Sequence, residues 1–238
     1  MRPRIVHPGA AVLAVALVAA ILAGCGSSSS SSSSGNGVAS KSPAEIVAAA
    51  KTAAAGAASA HVAGSIVDEG KPISLDMELL AGKGGKGKIT VEGLSVNLID
   101  VDNAVYINGS TAFYRHLAGP AAAQLLQGKW LKAPAGGGNF SSLASLTNLG
   151  KLIDTTLASH GKLSSAGTST IGGQKAVGVS DTAKGGTLYV ASTGTPFPLA
   201  IVKSGSGGGR IVFDRWNNAV TLAAPANAVN VNQLQSGH

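Results

Sequence analysis

Disulfides, metal-ligand clusters and catalytic signatures are what this chain lacks. Cys25 is its single cysteine, so no intramolecular disulfide can form and the fold must hold by its core alone. His61, His116 and His160 stand apart, with no H-x-x-x-H spacing and no cysteine beside them, which excludes the usual zinc patterns. No G-x-S-x-G elbow occurs. The stretch GKGGKGKI at 82–89 begins like a phosphate-binding loop, but Ile89 stands where Ser or Thr would hold magnesium. Predicted strands flank it on both sides, so it reads as a Gly-rich hairpin with its lysines in water. GSGGGR at 205–210 lacks the dinucleotide fingerprint and reads as another turn. DVDN at 100–103 offers carboxylates, but Val105 and Thr111 occupy the positions where a calcium loop needs Gly and Glu. These absences point away from an enzyme and from a bound metal or cofactor.

What is present begins at the N-terminus. Arg2 and Arg4 precede an apolar run from Ala10 to Leu22. The run is too short for a comfortable bilayer span, and no charged stop-transfer cluster follows it. It ends in Leu22-Ala23-Gly24-Cys25, which resembles the lipobox of bacterial lipoproteins. The resemblance implies a signal peptide over 1–24 and cleavage before Cys25. It also implies diacylglycerol on the Cys25 thiol, with a further acyl chain such as palmitate on its amine. Two or three acyl chains give stable anchoring where one is marginal. The expected location is the extracytoplasmic side of the cell membrane, lipid-anchored. Residues 25–41, which include eight consecutive serines, carry almost no apolar content and are expected to form a flexible linker. The domain is then 42–238. Loss of residues 1–24 lowers the formal net charge from +7 to about +5. A mild positive charge outside the cell favours contact with anionic head groups, or serves only solubility. Export removes the chain from nucleic acid.

The remaining stretch is long enough for one domain with its own core. KPISLDMELLAG alternates Ile73, Leu75, Met77 and Leu79 with Ser74, Asp76 and Glu78, the period of a strand with one buried face. Similar short strands are predicted at 60–68, 87–93, 94–101, 104–109, 129–133, 163–171, 174–181, 186–192, 198–204, 209–216 and 219–224. Asp102-Asn103, Gly172-Gly173, Gly205 to Gly209 and Asn217-Asn218 fit hairpin turns. Ten or more strands with short connections fit an antiparallel meander better than βαβ units. Helices interrupt it. SPAEIVAAAKTAAAGAA opens with Ser42 as N-cap, Pro43 at N1 and Glu45 at N3, a capping-box arrangement. Leu143, Leu146, Leu149, Ile153 and Leu157 recur at helical spacing, with Gly161 as the residue past the end and His160 beside it. PAAAQLLQG at 120–128 fits a short helix or turn. The fold class read from these patterns is α+β, a large antiparallel sheet with helices on one face.

The order of these segments carries a further resemblance. An Ala-rich helix, SAHVAGSI, VDNAVYING with FYRH, KWLKAP, a Leu-spaced helix, GGTLYVASTGTPFPLAIVKSG and GRIVFDRWNNAVTLAAPANAV follow in turn. This layout resembles the LppX/LprG (LppX_LprAFG) family of actinobacterial lipoproteins, which are similar in fold to LolA and LolB. The resemblance implies a curved half-barrel sheet with helices closing its concave side. It implies an apolar cavity there that binds acylated lipid or glycolipid and can carry it. Under that fold Ile73, Leu75, Met77 and Leu79 would share one lipid-binding space with Leu143, Leu146, Leu149, Ile153 and Leu157. The alternative is a non-enzymatic envelope binding or scaffold module with a filled core and a protein partner. A monomer is expected in either case.

Overall fold

The structure, a computed structural model, describes residues 35–136, 144–158, 160–205 and 207–231; Cys25 and Leu143 lie outside them. Chain contacts make 33–238 one compact unit.

After a short 3₁₀ turn, Val38–Ser40, comes α1, Pro43–Ala55. The predicted capping box is formed: the Glu45 N–H donates to Ser42 Oγ at 3.4 Å, and the Ser42 N–H donates to Glu45 Oε2 at 2.9 Å. Five strands follow: β1 (Ser59–Asp68), β2 (Lys71–Leu80), β3 (Gly84–Val91), β4 (Leu94–Val101) and β5 (Ala104–Gly109). Then come α2 (Thr111–Leu126), β6 (Leu131–Pro134) and α3 (Leu149–Ala158). A second meander follows: β7 (Leu163–Ile171), β8 (Gln174–Asp181), β9 (Thr187–Ala191), β10 (Pro198–Lys203) and β11 (Gly209–Asp214). The last strand is β12 (Val229–Asn230).

All twelve strands form one open sheet in the order β12-β6-β5-β4-β3-β2-β1-β11-β10-β9-β8-β7. Every pairing is antiparallel except β12 with β6. The first strand thus sits mid-sheet and joins the two meanders. Laid flat, twelve strands would span roughly 50 Å at their usual spacing. Instead Ile46, Val47, Ala50 and Ala54 of α1 and Leu149, Ile153 and Leu157 of α3 share one buried cluster with side chains of β1–β5, β8, β9 and β11. Two helices of about 20 and 15 Å reach so many strands because the sheet curves around them.

Four elements differ from the sequence expectation. The turn in KGGKGK is shorter than expected: it ends at Lys83 and β3 starts at Gly84, with Lys86 and Lys88 projecting from the face opposite Gly85 and Gly87. The glycines leave room for β2. A Cβ on Gly87 would collide with the Asp76 carbonyl oxygen and lie 2.6 Å from Met77 Sδ, and one on Gly85 would lie 2.7 Å from Leu79 Cδ2. The stretch 219–224 is not a strand, because β1 and β11 already pair on both sides. It crosses the sheet as a strap, held where Lys86 Nζ donates to the Thr221 carbonyl at 3.0 Å. The Leu-spaced helix is broken at Thr147, whose buried hydroxyl lies 2.6 Å from Asp100 Oδ2 and 2.7 Å from the Ala144 carbonyl. Asn148 Oδ1 then accepts the Lys151 N–H and starts α3 afresh. Packing also begins before Ser42. Val38 is buried, the Asn36 side chain donates to the Ala191 and Gly194 carbonyls, and its N–H to Ser192.

Candidate functional site

Register assigns the helix-facing side of the sheet row by row. The outermost row is Ile66, Ile73, Val91 and Leu94, directly opposite one another across β1–β4. Next come Leu75, Ile89 and Val96, then Val62, Met77, Gly87, Leu98 and Ile107. Exposure falls along this direction. Ile66 is 37% exposed and Val91 36%, Ile73 and Leu75 are half-buried, and Met77 and Leu79 are at 3% and 0%. One strand, β2, therefore runs from an open apolar rim into a sealed core.

The seal is made by α1 and α3. Alanines on α1 permit close approach, and α3 turns Leu149, Ile153 and Leu157 inward. Lys51 Nζ meets Asp154 Oδ1 at 3.0 Å across the outer surface of the pair. Where the two helices meet the second meander, a recess of about 130 Å³ remains. Val47, Leu157, Leu163, Val179, Leu188 and Ile201 form its walls, and His160, Asp181 and Lys184 its rim. Asp181 is fixed by backbone: its carboxylate accepts the N–H groups of Lys184 and Ala183 at 2.9 Å and of Gly161 at 2.8 Å. Those bonds, the one from Lys184 first, hold its carboxyl below the usual carboxylate range. Gly161 serves this close approach, not a left-handed helix end, since a Cβ there would lie 2.6 Å from Ala183 Cβ.

A wider cleft of about 840 Å³ lies at the opposite end of α3, between the β2–β3 and β4–β5 turns and the strap. Lys83, Asp100, Asp102, Asn103, Asn148 and Thr221 line it. Leu80, Val101, Ala135, Ala144, Val220 and Leu222 complete the lining, so its walls are mixed, with hydrogen-bonding groups beside aliphatic ones.

The structure brings together most of the residues singled out by pattern. Met77, Leu79, Leu149, Ile153 and Leu157 share one buried cluster, with Leu75 packed against it. Ile73 lies on the open rim. Leu146 is a correction: it is 41% exposed, because the break at Thr147 separates it from the buried face of α3. The wall residues contributed by β7–β10 went unread, since their strands were recognised without a hint of which helix would cover them.

No protein-family model matches the sequence, and no curated protein matches it. Solved structures do. LprF from Mycobacterium bovis superposes with a TM-score of 0.54 at 15% identity, over 78% of this chain and 97% of that one. The lipoprotein LppX from Mycobacterium tuberculosis gives 0.51 at 18% identity, over 76% and 98%. The fold is that of the LppX/LprG lipoproteins. At these identities the likeness fixes the fold and leaves each side chain here to be judged by its own surroundings.

Two further observations belong to the opposite face of the LppX/LprG-type sheet. His61 lies there between two carboxylates, with Nδ1 2.6 Å from Asp214 Oδ1 and Nε2 2.9 Å from Asp76 Oδ1. The pairing with Asp214 is not visible in sequence, because the two are 153 residues apart. Among the described residues, no group of three His, Cys, Asp or Glu side chains is arranged to hold a metal ion. Nor is any described helix long and apolar enough to cross a membrane.

Proposed function

We propose that this chain is an exported lipoprotein, anchored through acylated Cys25 on the extracytoplasmic membrane face, that holds acyl chains of a lipid or glycolipid between sheet and helices. In this reading 1–24 is a signal peptide, the tether runs from Cys25 to the first packed residues, and the rest is a non-enzymatic binding domain. The observation that carries it is the recess at the helix–sheet seam, with aliphatic walls and a polar rim. An alkyl chain lodged there avoids about 0.8 kcal/mol of exposure per CH₂, while the rim can hydrogen-bond a head group.

The recess of about 130 Å³ is smaller than the roughly 300–1,000 Å³ of typical ligand sites, so in this reading loading parts α1 from α3 above it. Little resists that motion at the surface. The pair Lys51–Asp154 is exposed on both sides, and such pairs contribute about 0–1 kcal/mol. The filled core around Met77, Leu79 and Ile153 supports the second reading, an envelope scaffold module with a protein partner.

The test pairs two measurements on protein extracted from membranes: mass spectrometry of its organic extract, and thermal stability of a Leu157→Trp variant. Bound lipid in the wild type, lost in a variant of nearly unchanged stability, supports the lipid-binding reading. A lipid-free wild type, with a variant destabilised by the about 1–3 kcal/mol of overpacking, rejects it in favour of the scaffold.

A further inference from the structure

Helix α2 is held by a narrow seam. Of its 16 residues only Tyr114 and Ala123 are buried. The Tyr114 hydroxyl accepts the Gly109 N–H at 2.9 Å, and Phe113 and Leu126 pack against the core. Most of the rest faces water, including Leu117 at 64% and Leu125 at 59%, the two most exposed of the large apolar side chains among the described residues. Ala118, Pro120 and Ala121 between them are exposed as well, and from Leu117 to Leu126 the single polar side chain is Gln124. A left-handed Gly119, φ 84°, followed by Pro120 breaks the helix and lets each half present its own leucine.

Along the chain on either side of this helix the charge is of one sign. No Asp or Glu occurs between Asn103 and Ile153, whereas Arg115, Lys129, Lys132 and Lys151 do. Exposed leucines on a helix that carries Arg115 and is followed directly by Lys129 supply the apolar and cationic groups that an interfacial membrane contact uses. A protein partner with an apolar groove would satisfy the leucines, but Arg115 and Lys129 with no acid beside them in the chain favour an anionic lipid surface.

We propose that α2 docks the domain on an anionic bilayer surface, with Leu117 and Leu125 entering the head-group boundary and Arg115 and Lys129 beside them. The tether permits it. About ten residues separate Cys25 from Asn36, and extended they span roughly 35 Å, about the length of a ten-residue strand. The domain can therefore lie on its side against the leaflet that anchors it. Docking through α2 does not depend on the anchor, so it stands or falls separately from the lipoprotein reading.

The experiment uses the chain from Gly26 onward, which keeps the whole compact unit and lacks Cys25. Its co-sedimentation is measured with phosphatidylglycerol-containing vesicles and with pure phosphatidylcholine vesicles. Binding to the anionic vesicles, weakened by salt, is expected. Leu117→Asp with Leu125→Asp should lower the partition coefficient at least tenfold, and Arg115→Gln with Lys129→Gln should reduce the preference for anionic lipid. All four sites are exposed, so the melting temperature should hold. Absence of binding, equal binding to both vesicle types, or full binding by the double Asp variant would overturn the proposal. Diacylglycerol at the N-terminus of the cellular protein is a separate measurement and decides only the anchor.

Discussion

Gly87 and Gly85 decide how the middle of the sheet packs, because the β2 backbone at Asp76 and the side chains of Met77 and Leu79 occupy the space their side chains would need. Gly87→Ala is therefore expected to destabilise the domain by about 1–3 kcal/mol, read as a lower denaturation midpoint with an unchanged slope. Gly93→Ala is not a fair control, since φ there is 82°; Lys88→Ala, on the outer side of the same strand, is. Asp181 makes a prediction in pH. Its folded-state value is depressed, so its three backbone bonds contribute stability above the ordinary carboxylate range, near pH 4, and that contribution is lost as pH falls through the lower folded value. Acid unfolding of Asp181→Asn should lack this component; identical acid profiles for variant and wild type would contradict it. The Lys/Gly alternation of β3 is visible in sequence as period two, yet reads as a turn. What lies hidden there is that Met77 and Leu79 lean across and supply the missing bulk.

At the scale of elements, the strands of both meanders and the N-terminus of α1 were legible because local chemistry dictates them: alternation, paired turn residues such as Asp102 and Asn103 at φ 53° and 58°, and the Ser42–Glu45 box. The misread elements were those decided by distant partners. Thr147 ends one helical turn because Asp100 waits in β4, and 219–224 has strand-like alternation but follows β11, which like β1 is already paired on both sides. The start of the domain is a third case. Asn36 and Val38 sit in a Ser/Gly/Asn-rich stretch that composition assigns to the linker, and contacts with 191–194 override that. A chain beginning at Ser40 should thus melt several degrees below one beginning at Gly35, at about 2–4 °C per kcal/mol for a domain of this size. Coincident melting curves would return residues 36–39 to the tether.

For the whole molecule, the fold class and most of the apolar face could be read in advance, whereas the size and position of the opening could not. That depends on how closely two helices settle onto twelve strands, a matter of packing rather than pattern. Two outcomes are expected in cells. Cys25→Ser should remove the diacylglycerol mass and release the protein from membranes; unlipidated wild type in the membrane fraction would refute the anchor. Linking α1 to α3 chemically, through Lys51→Cys and Asp154→Cys with a short bismaleimide, should prevent lipid uptake without unfolding the domain. Unchanged uptake would mean that cargo enters elsewhere, the open rim at Ile66 and Val91 being the nearest apolar surface.

The central place of β1 also sets a timetable. A chain delivered through a membrane N-terminus first presents β1 early, but one of its two neighbours, β11, ends at Asp214, so that flank stays unpaired until nearly the entire polypeptide has crossed. Pairings this distant form slowly and leave strand edges open meanwhile. For a chain exported as proposed above, translocation is thus finished before folding can be, and in that interval the half-built sheet would depend on whatever shields nascent strands outside the cell membrane.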